Sequence, residues 1–209
     1  ASNLIGINNK LIKNEEYKNR YELVKVDLKN KNKLDSLIDD INPDLVFHLA
    51  AESHVDRSID YPEIFLESNV IGTFNLLVSL RNHWEKLSLA RKKFFRLVHV
   101  STDEVFGSLH DNEKKFDEST PYDPKSPYSA SKASSDHFVK SWVNTYDFPA
   151  LITNCSNNYG PWQFPEKLIP LVIMKAINSE QIPLYGDGLN VRDWLFVDDH
   201  TDALITVAS

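Results

Sequence analysis

Phe94-Phe95-Arg96-Leu97-Val98-His99-Val100-Ser101-Thr102-Asp103-Glu104 is an apolar run that stops abruptly at four polar residues. A short apolar run of this kind fits a strand buried on both faces of a parallel sheet, here over Phe94 to Ser101. Working outward, the same design recurs. Leu45 to Ala50 is apolar except for His48, and Ala150 to Asn154 reads as a further strand. Tyr21 to Asp27 reads as another, with Leu23, Val24 and Val26 apolar. Helical stretches lie between these runs. Lys31 to Ile41 places Leu34, Leu37, Ile38 and Ile41 on one face. A helix is expected from about Pro62 to Trp84, with the proline in its first turn. Ser126 and Pro127 are a cap and first helical position, opening a helix to about Tyr146. Leu168 to Asn178 follows as a helix, and Leu109 to Lys125 reads as a polar loop. The tail reads as a short strand over Ile182 to Tyr185, a turn at Gly186-Asp187-Gly188, a strand near Trp194 to Val197 and a helix from Asp199. This alternation predicts an α/β fold with a doubly wound parallel sheet. Such sheets bind ligands at the carboxyl ends of their strands.

Composition narrows the function classes. The chain has 209 residues, enough for one sizeable core and part of a second, with 42% hydrophobic and 25% charged residues. No apolar run approaches the roughly 20 residues of a membrane span. A net charge of −7 argues against a general nucleic-acid surface. The single cysteine, Cys155, excludes an internal disulfide framework and fits a reducing cytosol, so a cytoplasmic location is expected. Met174 is the only methionine and glycines are few, which reads as a fragment.

The strand ends carry the chemistry. One is followed by Asp27, a second by Ala50-Ala51-Glu52-Ser53-His54, a third by Thr102-Asp103-Glu104, and a fourth by Ser156-Asn157. Tyr128 and Lys132 stand four apart and project from one helix face. An ammonium beside a phenol favours the phenolate, so Lys132 is expected to lower the pKa of Tyr128. A phenolate can take a proton from a sugar hydroxyl. An exposed helix pair would show the same spacing. The position, one loop after a strand ending in Ser-Thr, favours chemistry. Asp103-Glu104 could be a solvated acidic loop, but a buried strand points the pair at the ligand edge. Adjacent side chains on a regular strand face opposite ways, so the pair must lie past the strand end.

These motifs resemble the extended short-chain dehydrogenase/reductase family, which has a Rossmann-like fold, and within it the nucleotide-sugar 4,6-dehydratases that act on dTDP-glucose. The resemblance runs through His48 to Arg57, Ser101 to Gly107, Tyr128 to His137, Asn157 to Pro170 and Gly186 to Asp199. It implies NAD as cofactor, a dTDP-sugar as substrate, no metal, and a homodimer in the full-length protein. It also implies an oxidation at C4, loss of water across C5 and C6, and return of the hydrogen to C6. Tyr128 would be the base at the C4 hydroxyl, with Lys132 tuning it and holding the nicotinamide ribose. Thr102 would bind the C4 oxygen, Glu104 remove the C5 proton and Asp103 protonate the departing C6 hydroxyl. The two carboxyls need opposite protonation states, which neighbouring carboxylates supply when one charge raises the other pKa. Asp27, Leu28, Leu49, Ala50, Ala51, Ser53, Ser101 and Asn157, with Tyr128 and Lys132, would meet the cofactor. Ser53, Thr102, Asp103, Glu104, Asn157, Lys167, Leu168, Pro183, Tyr185 and Arg192 would meet the substrate.

Plainer roles stand beside several of these. Asp27 could cap the following helix, Ala50 and Ala51 could simply pack, and Tyr185 could be core. Lys167 and Arg192 could be solvated charges, although Val191 and Trp194 suggest a half-buried Arg192. His54 and Asp56 read as loop scaffolding, and Asn69 as a buried polar bridge to the active-site strand. The resemblance implies a glycine-rich phosphate loop ahead of Asp27 that is absent here, and Phe106 stands where the family often has tyrosine. Ala1 to Leu4 resembles the stretch after the family's second strand. On this reading residues 1–160 form a cofactor domain lacking its first strand, glycine loop and first helix. Residues 161–209 form part of a nucleotide-sugar region. A fragment of this kind is expected to be inactive alone. The alternatives are an epimerase, reductase or decarboxylase of the same fold, or a non-catalytic sugar-nucleotide or protein-binding module. A Ser/His/Asp hydrolase lacks its G-x-S-x-G turn here.

Overall fold

The computed structural model describes residues 20–109, 114–184 and 186–209. The chain divides into two compact units, one of residues 27–159 with 184–209 and the other holding 160–183 and the stretch up to Val26.

In the larger unit, α1 (Lys31–Ile41) buries Leu34 and Ile38, and its cap is Asn30, whose side chain accepts from the Lys33 N–H. Chain order continues with β1 (Leu45–His48), α2 (Val55–Asp60), α3 (Pro62–Phe65), a π-helical turn (Leu66–Ile71), α4 (Gly72–Lys86) and α5 (Leu89–Phe94). Next come β2 (Arg96–Thr102), a 3-10 turn (Asp103–Phe106), α6 (Pro127–Tyr146), β3 (Ala150–Cys155) and β4 (Asn157–Tyr159). The unit closes with β5 (Trp194–Phe196) and α8 (Val197–Ala208). The smaller unit contains α7 (Leu168–Ile177).

The sheet runs β1-β2-β3, all parallel, with Leu45 beside Arg96 and Thr102 beside Cys155, and β4 pairs with β5 in parallel. Parallel pairing with helical crossovers is the expected α/β architecture. Leu97 and Val98 of β2 are fully buried, and α6 packs on both β2 and β3. Phe95, Phe148 and Trp84 stack below the sheet's start, with Trp84 edge-on to Phe148 at 5.8 Å. Helix α6 spans the residues its sequence predicts, because Ser126 caps the Ser129 N–H and Pro127 takes the first position. Among the described residues no helix is long and apolar enough to cross a membrane.

Several expectations are corrected. Residues 21–26 form no strand; a strand exists only through ladder bonds, and Leu23 and Val24 are exposed. β1 is shorter than the apolar run and is not buried on both faces. Among the described residues it lies at the end of the strand order, with Leu45 and Phe47 exposed and His48 buried. His48 is accommodated by Thr73, 2.9 Å from its Nε2. The Pro62 to Trp84 helix is interrupted by the π-helical turn at Leu66–Ile71. Residues 182–184 form no strand, and Tyr185 and Ala1 to Leu4 lie outside the described residues. The turn at Gly186 to Gly188 is present, both glycines having positive φ.

Candidate active site

The site is built where β2 ends. Thr102 keeps an extended backbone, and its Oγ1 accepts from the Glu104 N–H at 3.3 Å. That bond turns the chain into the 3-10 turn of Asp103–Phe106, so Asp103 and Glu104 leave the strand rather than alternating across it. Gly107 ends the turn at φ 91°, a left-handed conformation that glycine adopts without strain. Thr102 is fixed from the sheet side as well, because Asn154 Nδ2 donates to its carbonyl at 3.0 Å.

Tyr128 and Lys132 stand on consecutive turns of α6, and both are buried. The Phe65 ring meets the Tyr128 ring edge-on at 6.3 Å. Burial is the main cause that pushes the Tyr128 phenol up. The charge of Glu104 adds to it, Thr102 opposes it by hydrogen bonding, and Cys155 and Asp103 add smaller upward contributions. Thr102, Glu104 and Asp103 thus all lie near enough to the Tyr128 phenol to act on it. The expected lowering of the Tyr128 pKa by Lys132 is corrected. Lys132 Nζ donates instead to the Val100 carbonyl at 2.9 Å, and burial lowers its own pKa while the charge of Asp136 raises it.

Asp103 has a raised pKa, chiefly from burial, with the charge of Asp193 adding and the Thr102 hydrogen bond opposing. The neighbouring charge that adds to burial at Asp103 is that of Asp193. Asp193 was missed in the sequence, although it lies inside the Gly186 to Asp199 stretch, one residue before β5.

The remaining residues are placed less tightly. Leu49, Ala50, Ala51 and Ser53 form the exposed loop after β1. Asn69, on the π-helical turn, clamps that loop: its Oδ1 accepts from the Glu52 N–H at 2.8 Å, and its Nδ2 donates to the Glu52 carbonyl at 3.0 Å. The same Nδ2 donates to Ser131 Oγ on α6 at 2.8 Å. The predicted polar bridge exists, but it reaches α6 rather than the strand. Asp27 does not cap α1; its Oδ1 accepts from the Lys29 N–H at 2.9 Å beside an open depression lined by residues 29–32. Leu28 is tied to α4, its carbonyl accepting from Asn75 Nδ2 at 3.0 Å. Ser101 gives its hydroxyl to Asp136 at 2.7 Å. Asn157 opens β4 opposite Trp194. Arg192 is exposed, not half-buried, because Val191 is 88% exposed; its Nη1 donates to the Val191 carbonyl. Lys167, Leu168 and Pro183 belong to the smaller unit, with Lys167 preceding α7 and Leu168 opening it. His54 caps α2, as scaffolding.

Known proteins resemble this chain throughout. A dTDP-glucose 4,6-dehydratase of Neisseria meningitidis serogroup B is 52% identical over 190 residues, covering 91% of this chain and 54% of that protein. dTDP-glucose 4,6-dehydratase 1 of Escherichia coli K12 is 55% identical over 175 residues, covering 80% and 48%. The crystal structure of the Streptomyces venezuelae dTDP-glucose 4,6-dehydratase with NAD bound superposes with a TM-score of 0.79 at 42% identity, covering 89% of this chain and 54% of that one. A UDP-glucose 4-epimerase of Thermus thermophilus, in complex with NAD, gives 0.77 at 29%, covering 88% and 58%. The chain thus spans about half the length of the curated relatives it matches. The family model described as GDP-mannose 4,6 dehydratase matches residues 2–209, and the chain belongs to that family of Rossmann-like proteins.

Proposed function

We propose that this chain carries the catalytic centre of an NAD-dependent dTDP-glucose 4,6-dehydratase. The observation that carries the reading is the convergence of Thr102, Asp103, Glu104 and Tyr128 at the end of β2. Epimerisation at C4 needs the threonine and tyrosine but no acid and base for C5 and C6, so the two carboxyls favour dehydration.

The residues suit the cofactor. Lys132 is a buried cation on the tyrosine's helix face, and the loop after β1 presents the small residues Ala50 and Ala51. Lys132, Asp27, Leu28, Leu49, Ala50, Ala51, Ser53, Ser101 and Asn157 are proposed to hold NAD, which when bound supplies reversible oxidation of the sugar carbon. Tyr128, as phenolate, takes the proton from the C4 hydroxyl, and Thr102 donates to the C4 oxygen. The C4 ketone makes the C5 hydrogen acidic, and Glu104 removes it. Asp103, its pKa raised, is the partner suited to hold a proton for the departing C6 hydroxyl. Asn157, Lys167, Leu168, Pro183, Tyr185 and Arg192, with Ser53, are proposed for the nucleotide diphosphate end. Residues 1–160 serve the cofactor, and 161–209 form part of the sugar-nucleotide region.

A second copy is proposed to pack on α4 and α6 in a cytoplasmic homodimer. The aromatic cluster of Phe74, Phe138 and Trp142 supports this: Phe74 lies on α4, is 36% exposed, and sits 5.7 Å from both other rings.

The test is isotopic. In a protein of the relatives' length carrying this segment, dTDP-glucose deuterated at C4 gives a 4-keto-6-deoxy product with deuterium at C6. Deuterium lost to solvent, or retained at C4 in an epimer, defeats the reading.

A further inference from the structure

Asp136 is wholly buried, and no step above uses it. It stands one turn beyond Lys132 on α6, so the two share a face. Ser101 Oγ donates to its Oδ2 at 2.7 Å, and the Tyr122 hydroxyl donates to the same oxygen at 3.0 Å. The Nε2 of His99, also wholly buried, lies 3.1 Å from Oδ1. Burial is the main cause holding the His99 pKa below its ordinary value, and Asp136 opposes that shift. A buried carboxylate without a counterion is costly. The nearby buried cation is Lys132, anchored on the carbonyl of Val100, the residue before Ser101.

We propose that Asp136 is a positioning residue: the buried counterion that keeps the Lys132 ammonium charged and aimed at the Val100 carbonyl, beside the tyrosine. The proposal deepens the reading above, since it takes Lys132 as part of the catalytic group. Its electrostatic sign agrees, because burial lowers the Lys132 pKa and the charge of Asp136 raises it. The other titratable groups around this pair are known. His99 faces Asp136 from β2, and His48 of β1 lies against His99 with rings 5.1 Å apart. Tyr122 faces it from the loop before α6, with His137 against its ring and Lys140 over it. Cys155 of β3 acts on Lys132. Of these, Tyr122 is the one whose loss could imitate the effect, since its phenol is held up by burial and by Asp136.

The experiment is an NMR titration of lysine-labelled protein, following the Lys132 side-chain carbon next to Nζ, assigned by its absence in Lys132→Arg. In Asp136→Asn, which keeps the shape and an acceptor oxygen, the Lys132 step moves to lower pH than in the wild type. Tyr122→Phe and Ser101→Ala remove hydrogen bonds but no negative charge, and leave that step in place. An unmoved step in Asp136→Asn, or an equal displacement in Tyr122→Phe, overturns the proposal. If Asp136→Asn folds too poorly to titrate, stability decides. Asp136→Asn/Lys132→Met, which removes both charges, is then more stable than Asp136→Asn alone, and the reverse order overturns the proposal. Neither readout needs turnover, so a failed dehydratase reading remains distinguishable from a failed counterion. With turnover established, the alkaline limb of the rate profile follows the Lys132 step downward in Asp136→Asn, whereas a merely structural role lowers the rate without moving the limb.

Discussion

Replacing Asn69 by alanine removes three hydrogen bonds at a site only 1% exposed: one accepted from the Glu52 N–H and two donated, to the Glu52 carbonyl and to Ser131. At about 1 kcal/mol net for each, the loss is about 3 kcal/mol. The better helix propensity of alanine returns about 0.5 kcal/mol. A net loss of about 2–3 kcal/mol in a domain of this size lowers Tm by about 5–10 °C. Asn69→Asp separates the hydrogen bonds from the volume. It keeps the oxygen facing the Glu52 N–H but turns the donor into a second carboxylate oxygen, aimed at the Glu52 carbonyl and Ser131. Burying an unmatched charge costs more than the bonds alone, so Asn69→Asp is worse than Asn69→Ala. Urea denaturation followed by circular dichroism, with unchanged m-values, measures both. The bonds also tie the loop before Ser53 to the helix bearing Tyr128, so with the cofactor site proposed above both variants weaken NAD binding as well as stability. A loss below about 1 kcal/mol for alanine, or an aspartate milder than alanine, refutes the reasoning.

Three further outcomes are expected. Gly107→Ala costs about 1–3 kcal/mol, because φ is 91° and the new Cβ would lie 2.8 Å from the Asp123 carbonyl oxygen; thermal unfolding against the wild type measures it. Burial, followed by the charges of His99 and Lys132, holds His48 well below its ordinary value near 6.5. The unfolded chain therefore takes up the proton first, and stability present above about pH 6.5 is lost as pH falls. His48→Gln flattens that decline in a series of Tm values against pH, and an unchanged slope rejects the assignment. Glu104→Gln stops elimination yet spares C4 oxidation. Because the charge of Glu104 helps raise the Tyr128 pKa, the acid limb of that oxidation moves to lower pH; single-turnover absorbance of the reduced cofactor reads it, and an unmoved limb separates the two groups.

The sequence was most legible where local chemistry acts alone. Ser126 and Pro127 mark the start of α6, because a cap and a first-turn proline satisfy the helix end without tertiary help. The placement of Thr102, Asp103 and Glu104 past a strand end, and of Tyr128 and Lys132 on one helix face, is legible because a strand end and an i, i+4 pair fix where side chains stand. What depended on partners was not legible. The 21–26 segment is apolar enough for a strand, but a strand needs a neighbour. Leu45 and Phe47 look like core residues, yet β1 lies at the end of the strand order and leaves them exposed. The π-helical turn at Leu66–Ile71 leaves the apolar spacing almost unchanged, so periodicity alone does not show it. Apolar neighbours in the sequence suggest cover for Arg192, but Val191 is itself exposed. Asp136 follows Lys132 at the same spacing as Lys132 follows Tyr128, so it could have been found by extending the face one more turn.

The pKa of Tyr128 shows why residue spacing alone could not set the chemistry. A lysine four residues away suggests an acidified phenol, but the lysine's ammonium is turned to the Val100 carbonyl. The phenol meets burial and the Glu104 carboxylate instead, with Thr102 as the group that favours its ionised form. Burial is the main cause that raises the pKa of both Tyr128 and Asp103. These are different assets. On the proposed mechanism a raised pKa suits Asp103 as the acid toward a leaving hydroxyl, whereas the Tyr128 proton must leave before the C4 hydroxyl can be deprotonated. The phenolate is then scarce but strongly basic, and Thr102, which hydrogen-bonds it, also directs the turn that carries both carboxyls. On the proposed mechanism, a change at Thr102 thus reaches the oxidation and the elimination together, while a change at Asp103 reaches the elimination.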